Sequence, residues 1–291
     1  MPGRLPFFFG REVEHMNRFT QPLGQVHAVA PLVQCITNFV TVNDCANIIL
    51  ASGASPSMAQ DIREVEEAVC GAHALVCNMG AMDFVDSMIL AGRKANELGK
   101  PVVLDPVAAG GTQLRRDESK RLLDQVQFAA IRGNASEIRF LAGQHAVGSG
   151  VDVSAMDAIT EENLGEAVEM AATLAAQLHT VIAISGVLDI VSDGNETVVL
   201  RNGCATMARI TGSGCMLTSL IGAFCGAQPQ DTFAAAVSAM AAMGVAGELA
   251  EEQRLKKGTG NATFRTDLID GIFNLTEEQL QETIRYEVYK R

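Results

Sequence analysis

Five short apolar runs punctuate this chain: Leu32–Thr37, Ala74–Met79, Pro101–Asp105, Phe128–Arg132 and Val181–Ser185. Between them lie longer segments with helical spacing, near residues 40–52, 61–71, 82–98, 115–125, 134–143 and 161–178. This alternation constrains the fold more than any other feature. Apolar runs spaced by helices imply a largely parallel sheet with both faces covered. A hairpin-like pair follows at Leu188–Ser192 and Thr197–Arg201, joined by Asp193-Gly194-Asn195. Beyond residue 213 the pattern predicts helices only, over 213–227, 231–250, 262–274 and 276–288, the last opened by a Thr276-x-x-Gln279 capping box. The expected architecture is α/β, a three-layer αβα arrangement with a central, mostly parallel sheet.

The 291 residues suffice for one large domain, and no repeat, low-complexity tract or linker divides them. The expected division is an N-terminal arm over 1–20 and a single domain over 21–291. With 48% hydrophobic residues, only 5% aromatic and no Trp, the core must be aliphatic. Charged residues reach only 19%, below the usual quarter or so, so part of the surface is expected to be covered by other subunits. A net charge of −12 argues against nucleic acid or an anionic membrane as partner. It leaves a nucleotide open, because local backbone amides and a magnesium ion overcome the global field.

Seven cysteines, at 35, 45, 70, 77, 204, 215 and 225, include no C-x-x-C pair, and most read as core residues of a cytoplasmic protein. Phe7, Phe8 and Phe9 form too short a block for a signal peptide. Between Arg209 and Glu248 the only charge is Asp231, but the Gly-Ser-Gly opening and the alanine content favour a buried helix pair over membrane spans.

In open parallel sheets ligands bind beyond the carboxyl ends of the strands, so the residues there carry the functional reading. Asn38 follows the first run. Asp105-Pro106 ends the third with a carboxylate, ahead of V-A-A-G-G-T, where the Gly110-Gly111 pair allows close backbone approach. Asp105 either helps hold a metal-bound phosphate or caps a turn. Arg132 ends the fourth run and suits a phosphate. Asn134-x-x-Glu137 sets an amide and a carboxylate on one face of a first helical turn, as an N-cap or as organisers of Mg²⁺ and its waters. Ser185 ends the fifth. In Thr211-Gly212-Ser213-Gly214-Cys215, glycines turn backbone amides toward one point at a helix start, which forms an anion hole for a transferring phosphoryl group. The G-x-x-x-x-G-K-[ST] loop is missing from the chain, and Leu217 breaks a G-x-G-x-x-G pattern.

These stretches resemble the hydroxyethylthiazole kinase family, within the ribokinase-like superfamily. P-L-V-Q-C-I-T-N-F-V-T-V-N-D-C-A-N (31–47) and G-A-S-P-S-M-A (53–59) are specific to it. P-V-V-L-D-P-V (101–107), I-R-G-N-A-S-E-I (131–138) and T-G-S-G-C (211–215) are shared with related kinases. The resemblance implies a ribokinase-like domain without a separate lid. It further implies ATP-dependent phosphorylation of 4-methyl-5-(2-hydroxyethyl)thiazole, with Mg²⁺, in a homotrimer whose active sites lie at subunit interfaces. Met58 and Gly212 match thiazole-site positions, with Asn38 close by. Arg132 and Ser185 match ATP contacts, Asp105 and Glu137 the magnesium and phosphate region, and Cys215 the position beside the substrate hydroxyl. Many related kinases carry Asp at that last position. A thiol's reference pKa is about 8.5 and a helix N-terminus lowers it, so Cys215 is expected to orient the alcohol and accept its proton late. Ser213 and Ser185 stand where Thr is common, Gln34 where His is common, and Ala108 where Gly is usual. The alternatives are another small-alcohol kinase of this fold, an ATP-dependent dehydratase acting on hydrated nicotinamide cofactors, a non-catalytic binder, and a redox-sensing Cys215.

Overall fold

The computed structural model describes residues 9–143 and 159–290. Nine strands form one sheet: β1 (Leu32–Ile36), β2 (Ser55–Ser57), β3 (Ala74–Asn78), β4 (Val102–Asp105), β5 (Ala130–Asn134), β6 (Val181–Ser185), β7 (Asp189–Ser192), β8 (Glu196–Leu200) and β9 (Tyr286–Lys290). Their order is β2-β1-β3-β4-β5-β6-β7-β8-β9, parallel from β2 through β6 and antiparallel thereafter.

Alternation along each strand divides the interior into two cores. Val103, Val181 and Ala183 face one side, where helices α1 (Phe9–Val29), α2 (Val42–Ala51), α8 (Ser213–Ala227), α9 (Thr232–Lys257), α10 (Asn261–Asn274) and α11 (Glu277–Thr283) supply Phe19, Ile48, Phe224, Met240, Phe264 and Leu280. Val102, Leu104, Ile182 and Ile184 face the other, against α3 (Val65–Gly71), α4 (Val85–Glu97), α5 (Gln113–Gln125), α6 (Ala135–Leu141) and α7 (Leu164–Leu178). Strands buried on both faces have no polar side to alternate with, so their runs are continuous. α9 is long and apolar enough to cross a membrane, yet its residues from Phe233 to Gly247 are buried in the protein. A helix apolar all round belongs at the centre of a core.

Two expectations need correction. The helix expected over 276–288 stops at Thr283, and the chain returns as β9 to pair with β8. Tyr286 and Val288 pack on the core while Glu287 is exposed, a period of two that no helix keeps. Helix α1 runs across residue 20, with Phe19, Thr20 and Leu23 buried. β5 ends at Asn134 rather than Arg132, so Arg132 lies within the strand. β2 was not anticipated, being three residues long with a central proline at the sheet edge. The apolar pair 213–227 and 231–250 is buried as expected, with the second helix extended to Lys257.

Candidate active site

The carboxyl ends of the parallel strands meet the N-terminus of α8. Asp105 closes β4 and is buried, its Oδ2 accepting from Thr218 Oγ1 at 2.8 Å and from Asn78 Nδ2 at 3.1 Å. Asn78, the last residue of β3, also donates to Cys215 Sγ at 3.2 Å and accepts at Oδ1 from Gly80 N at 2.8 Å and Asn38 Nδ2 at 3.2 Å. Asn38 Nδ2 lies 3.4 Å from the same sulfur. Asn38 Oδ1 accepts from the amide and hydroxyl of Thr41, both at 3.2 Å, so the pocket floor is a network held by its own backbone.

Cys215 thus sits between two amide donors and Asp105. Burial, with the Asp105 charge adding, pushes its thiol up to about 12. The lowering expected from the helix N-terminus is outweighed, because a thiolate here would lose water and face a carboxylate.

Arg132 reaches over from β5. Its Nη2 bonds Ser185 Oγ, its Nη1 lies 3.7 Å from Asp105 Oδ2, and its buried Nε has no partner. Glu137 is the N3 residue of a capping box on α6, its Oε2 accepting from Asn134 N and its Oε1 from Ala108 N, both at 2.8 Å. The cap and the functional reading of Asn134 and Glu137 are therefore compatible. Ala108 holds that contact with φ at +54°, a left-handed conformation costing a non-glycine residue about 1–2 kcal/mol.

Burial raises Asp105, and burial followed by the Asp105 charge pushes Glu137 up to about 7. Asp189, at the start of β7, is pushed up to about 7 by burial while accepting from Gly186 N at 2.8 Å. The Arg132 guanidinium is the cation opposing all three shifts. One guanidinium thus faces three carboxyl groups whose neutral forms burial favours. Among the described residues no three acidic, His or Cys side chains converge as a ready-made cage. Asp105 and Glu137 supply the oxygen ligands that a hard cation takes.

Gly212 caps α8 with φ at +82°, and a Cβ there would meet Thr41 Cγ2 at 2.5 Å. With glycine as cap, no side chain occupies the first-turn amides, which stay available to an anion. Met58 follows β2, in a loop tied to β1 by Gln34 Nε2 to Ala59 O at 2.5 Å and Gln60 Nε2 to Thr37 O at 2.8 Å. Asn38, Asp105, Arg132, Glu137, Ser185, Gly212 and Cys215 are thus brought together, while Met58 is linked through its loop and packs on the core. Asn78, Thr218 and Asp189 were missed from sequence. Thr218 stands three residues after Cys215, a helical spacing that could have revealed it. Arg115 Nη1 donates to Met79 O and Val107 O, both at 2.9 Å, and so fastens the two loops beside Asn78 and Asp105.

The fold is ribokinase-like, with these polar side chains gathered at the strand ends. A profile of the hydroxyethylthiazole kinase family matches residues 23–278. Hydroxyethylthiazole kinase of Clostridium beijerinckii is 47% identical over 262 residues, 89% of this chain and 93% of that protein. The solved hydroxyethylthiazole kinase protein of Pyrococcus horikoshii OT3 superposes with a TM-score of 0.81 at 34% identity, covering 94% of this chain and 99% of that one. Staphylococcus aureus pyridoxal kinase shares the fold, with a TM-score of 0.56 at 16% identity over 90% of this chain and 99% of that one. The chain belongs to the hydroxyethylthiazole kinase family.

Proposed function

We propose that this chain, as a single kinase domain, transfers the γ-phosphoryl group of ATP to the primary alcohol of 4-methyl-5-(2-hydroxyethyl)thiazole. The products are the thiazole phosphate and ADP, in thiamine salvage. The observation that carries this reading is the meeting of Cys215, Asn38 and Asn78 with Asp105 and Arg132 at an α8 N-terminus that has no capping side chain. The first-turn amides and the Arg132 guanidinium converge where negative charge spreads over the transferring group. Asp105 and Glu137 would hold Mg²⁺, and the bound ion would neutralise phosphate charge.

Cys215 positions the alcohol. With its thiol pushed up to about 12 it already carries a proton at neutral pH, which favours orienting the alcohol over accepting its proton. A largely dissociative transfer does not require early removal of the hydroxyl proton. Asn38, Met58 and Gly212 frame the thiazole, and Arg132 and Ser185 the nucleotide. A homotrimer with sites at its interfaces is supported by Phe39, 90% exposed beside Asn38, and by exposed Val40 and Leu50 on the same segment. A cytoplasmic setting is supported by seven cysteines without a disulfide. Neither nucleic acid nor a membrane is proposed as a partner, in keeping with the net charge of −12.

The test is ADP release from Mg²⁺-ATP with each candidate alcohol, with products identified by mass. Thiazole-dependent ADP with the matching phosphorylated thiazole is the expected result. Phosphorylation of another alcohol alone overturns the substrate, and a folded, ATP-binding protein that phosphorylates none overturns the activity. In the same assay Cys215→Ser lowers kcat more than it weakens ATP binding, and an unchanged kcat removes Cys215 from the mechanism.

A further inference from the structure

The two glycines flanking Ser213 serve different purposes. Gly212 is required by its own positive φ and by Thr41. Gly214 is an ordinary helical residue of the first turn of α8, where alanine is normally the better choice. A Cβ on Gly214 would nevertheless fall 2.8 Å from Arg132 Nη2 and 2.9 Å from Cζ, and closer still to Nη1. The guanidinium therefore lies against the bare α-carbon of Gly214. It has little freedom to retreat, being buried, bonded to Ser185 Oγ and set beside Asp105, with Nε enclosed.

This placement sets like polarity against like. A helix N-terminus carries partial positive charge, and a guanidinium over it is repelled unless an anion accompanies both. The same closeness lets one phosphoryl group meet the first-turn amides and Arg132 together. We infer that Gly214 is a positioning residue for the transfer: its missing side chain is the seat that holds Arg132 over the α8 N-terminus, between Ser185 and Asp105. The inference rests on the reading of Arg132 as a phosphate contact given above. Alanine at 214 leaves every backbone amide in place and displaces only the guanidinium.

The test is a double-mutant cycle of Gly214→Ala and Arg132→Ala, read by ADP-release kinetics, by calorimetric ATP affinity and by thermal unfolding. Gly214→Ala alone is expected to lower kcat/KM for ATP about 10- to 100-fold, the scale of a misplaced catalytic contact. The double variant is expected to lose no more than Arg132→Ala alone, since without the guanidinium the Cβ has room. It is also expected to unfold at a higher temperature than Gly214→Ala. Losses that multiply, or Gly214→Ala with unchanged kinetics, overturn the inference. Should Gly214→Ala fail to fold, recovery of the fold in the double variant supports it and continued failure overturns it. The unfolding arm needs no substrate, so an inert thiazole would count against the proposed reaction and leave the coupling of 214 to 132 separately readable.

Discussion

At the scale of single residues, burial decides the chemistry more than residue type does. Cys215 is a nucleophile by residue type, but burial, with the Asp105 charge adding, pushes its thiol up to about 12. Iodoacetamide at pH 8 should therefore alkylate the exposed Cys70 first and Cys215 slowly, which peptide mapping would show. Rapid labelling of Cys215 would restore the activated-thiol reading. Asp189 gives the pH-dependent counterpart. Its folded pKa is raised from 3.8 to about 7, so the folded state holds the proton more tightly than the unfolded chain. Its contribution to stability is full below the unfolded pKa and is lost as pH rises toward 7, beyond which it is flat. Asp189→Asn should remove that decline, so the stability of the wild type relative to the variant falls between pH 4 and pH 7, measured by urea unfolding at each pH. Parallel profiles would show that Asp189 does not titrate in this window. Neither shift was legible in sequence, since both depend on neighbours from distant strands and helices.

At the scale of elements, local patterning identified most helices and strands, and their ends were set by partners. The capping boxes at Asn134 and Thr276 formed as spaced, because each closes within one turn of its own helix. β9 was misread because the pairing that stabilises it comes from β8, nearly ninety residues earlier. Close approach of α8 to the sheet is another such nonlocal fact. A Cβ on Gly222 would meet Val76 at less than contact distance and Val33 Cγ1 at 3.3 Å. Gly222→Ala should destabilise by about 1–3 kcal/mol through overpacking, despite the better helix propensity of alanine. A raised Tm in that variant would show that α8 has room to shift.

At the scale of the molecule, two aliphatic cores on one sheet leave the strand ends free to carry function, and they leave apolar side chains uncovered beside the site. Phe39 at 90% exposure adjoins Asn38, whose side chain organises the pocket. Phe39→Asp should leave the fold intact, dissociate the proposed trimer in sedimentation velocity and reduce turnover in the same preparation. A variant that keeps both its assembly and its activity would place the interface elsewhere.

The amino-acid sequence by itself determined the layered α/β class, the strand ends as the place of the site and most of the residues that meet there. Those are properties of local periodicity and of short motifs whose chemistry travels with them. Only the tertiary structure decided that Asn78 and Thr218 bond Cys215 and Asp105, that Asp189 lies within the field of Arg132, that Glu137 caps α6 while bonding Ala108, and that Arg132 rests on Gly214. Those are contacts across tens of residues, set by strand register and by how closely α8 packs on the sheet. Neither quantity is encoded within any single segment.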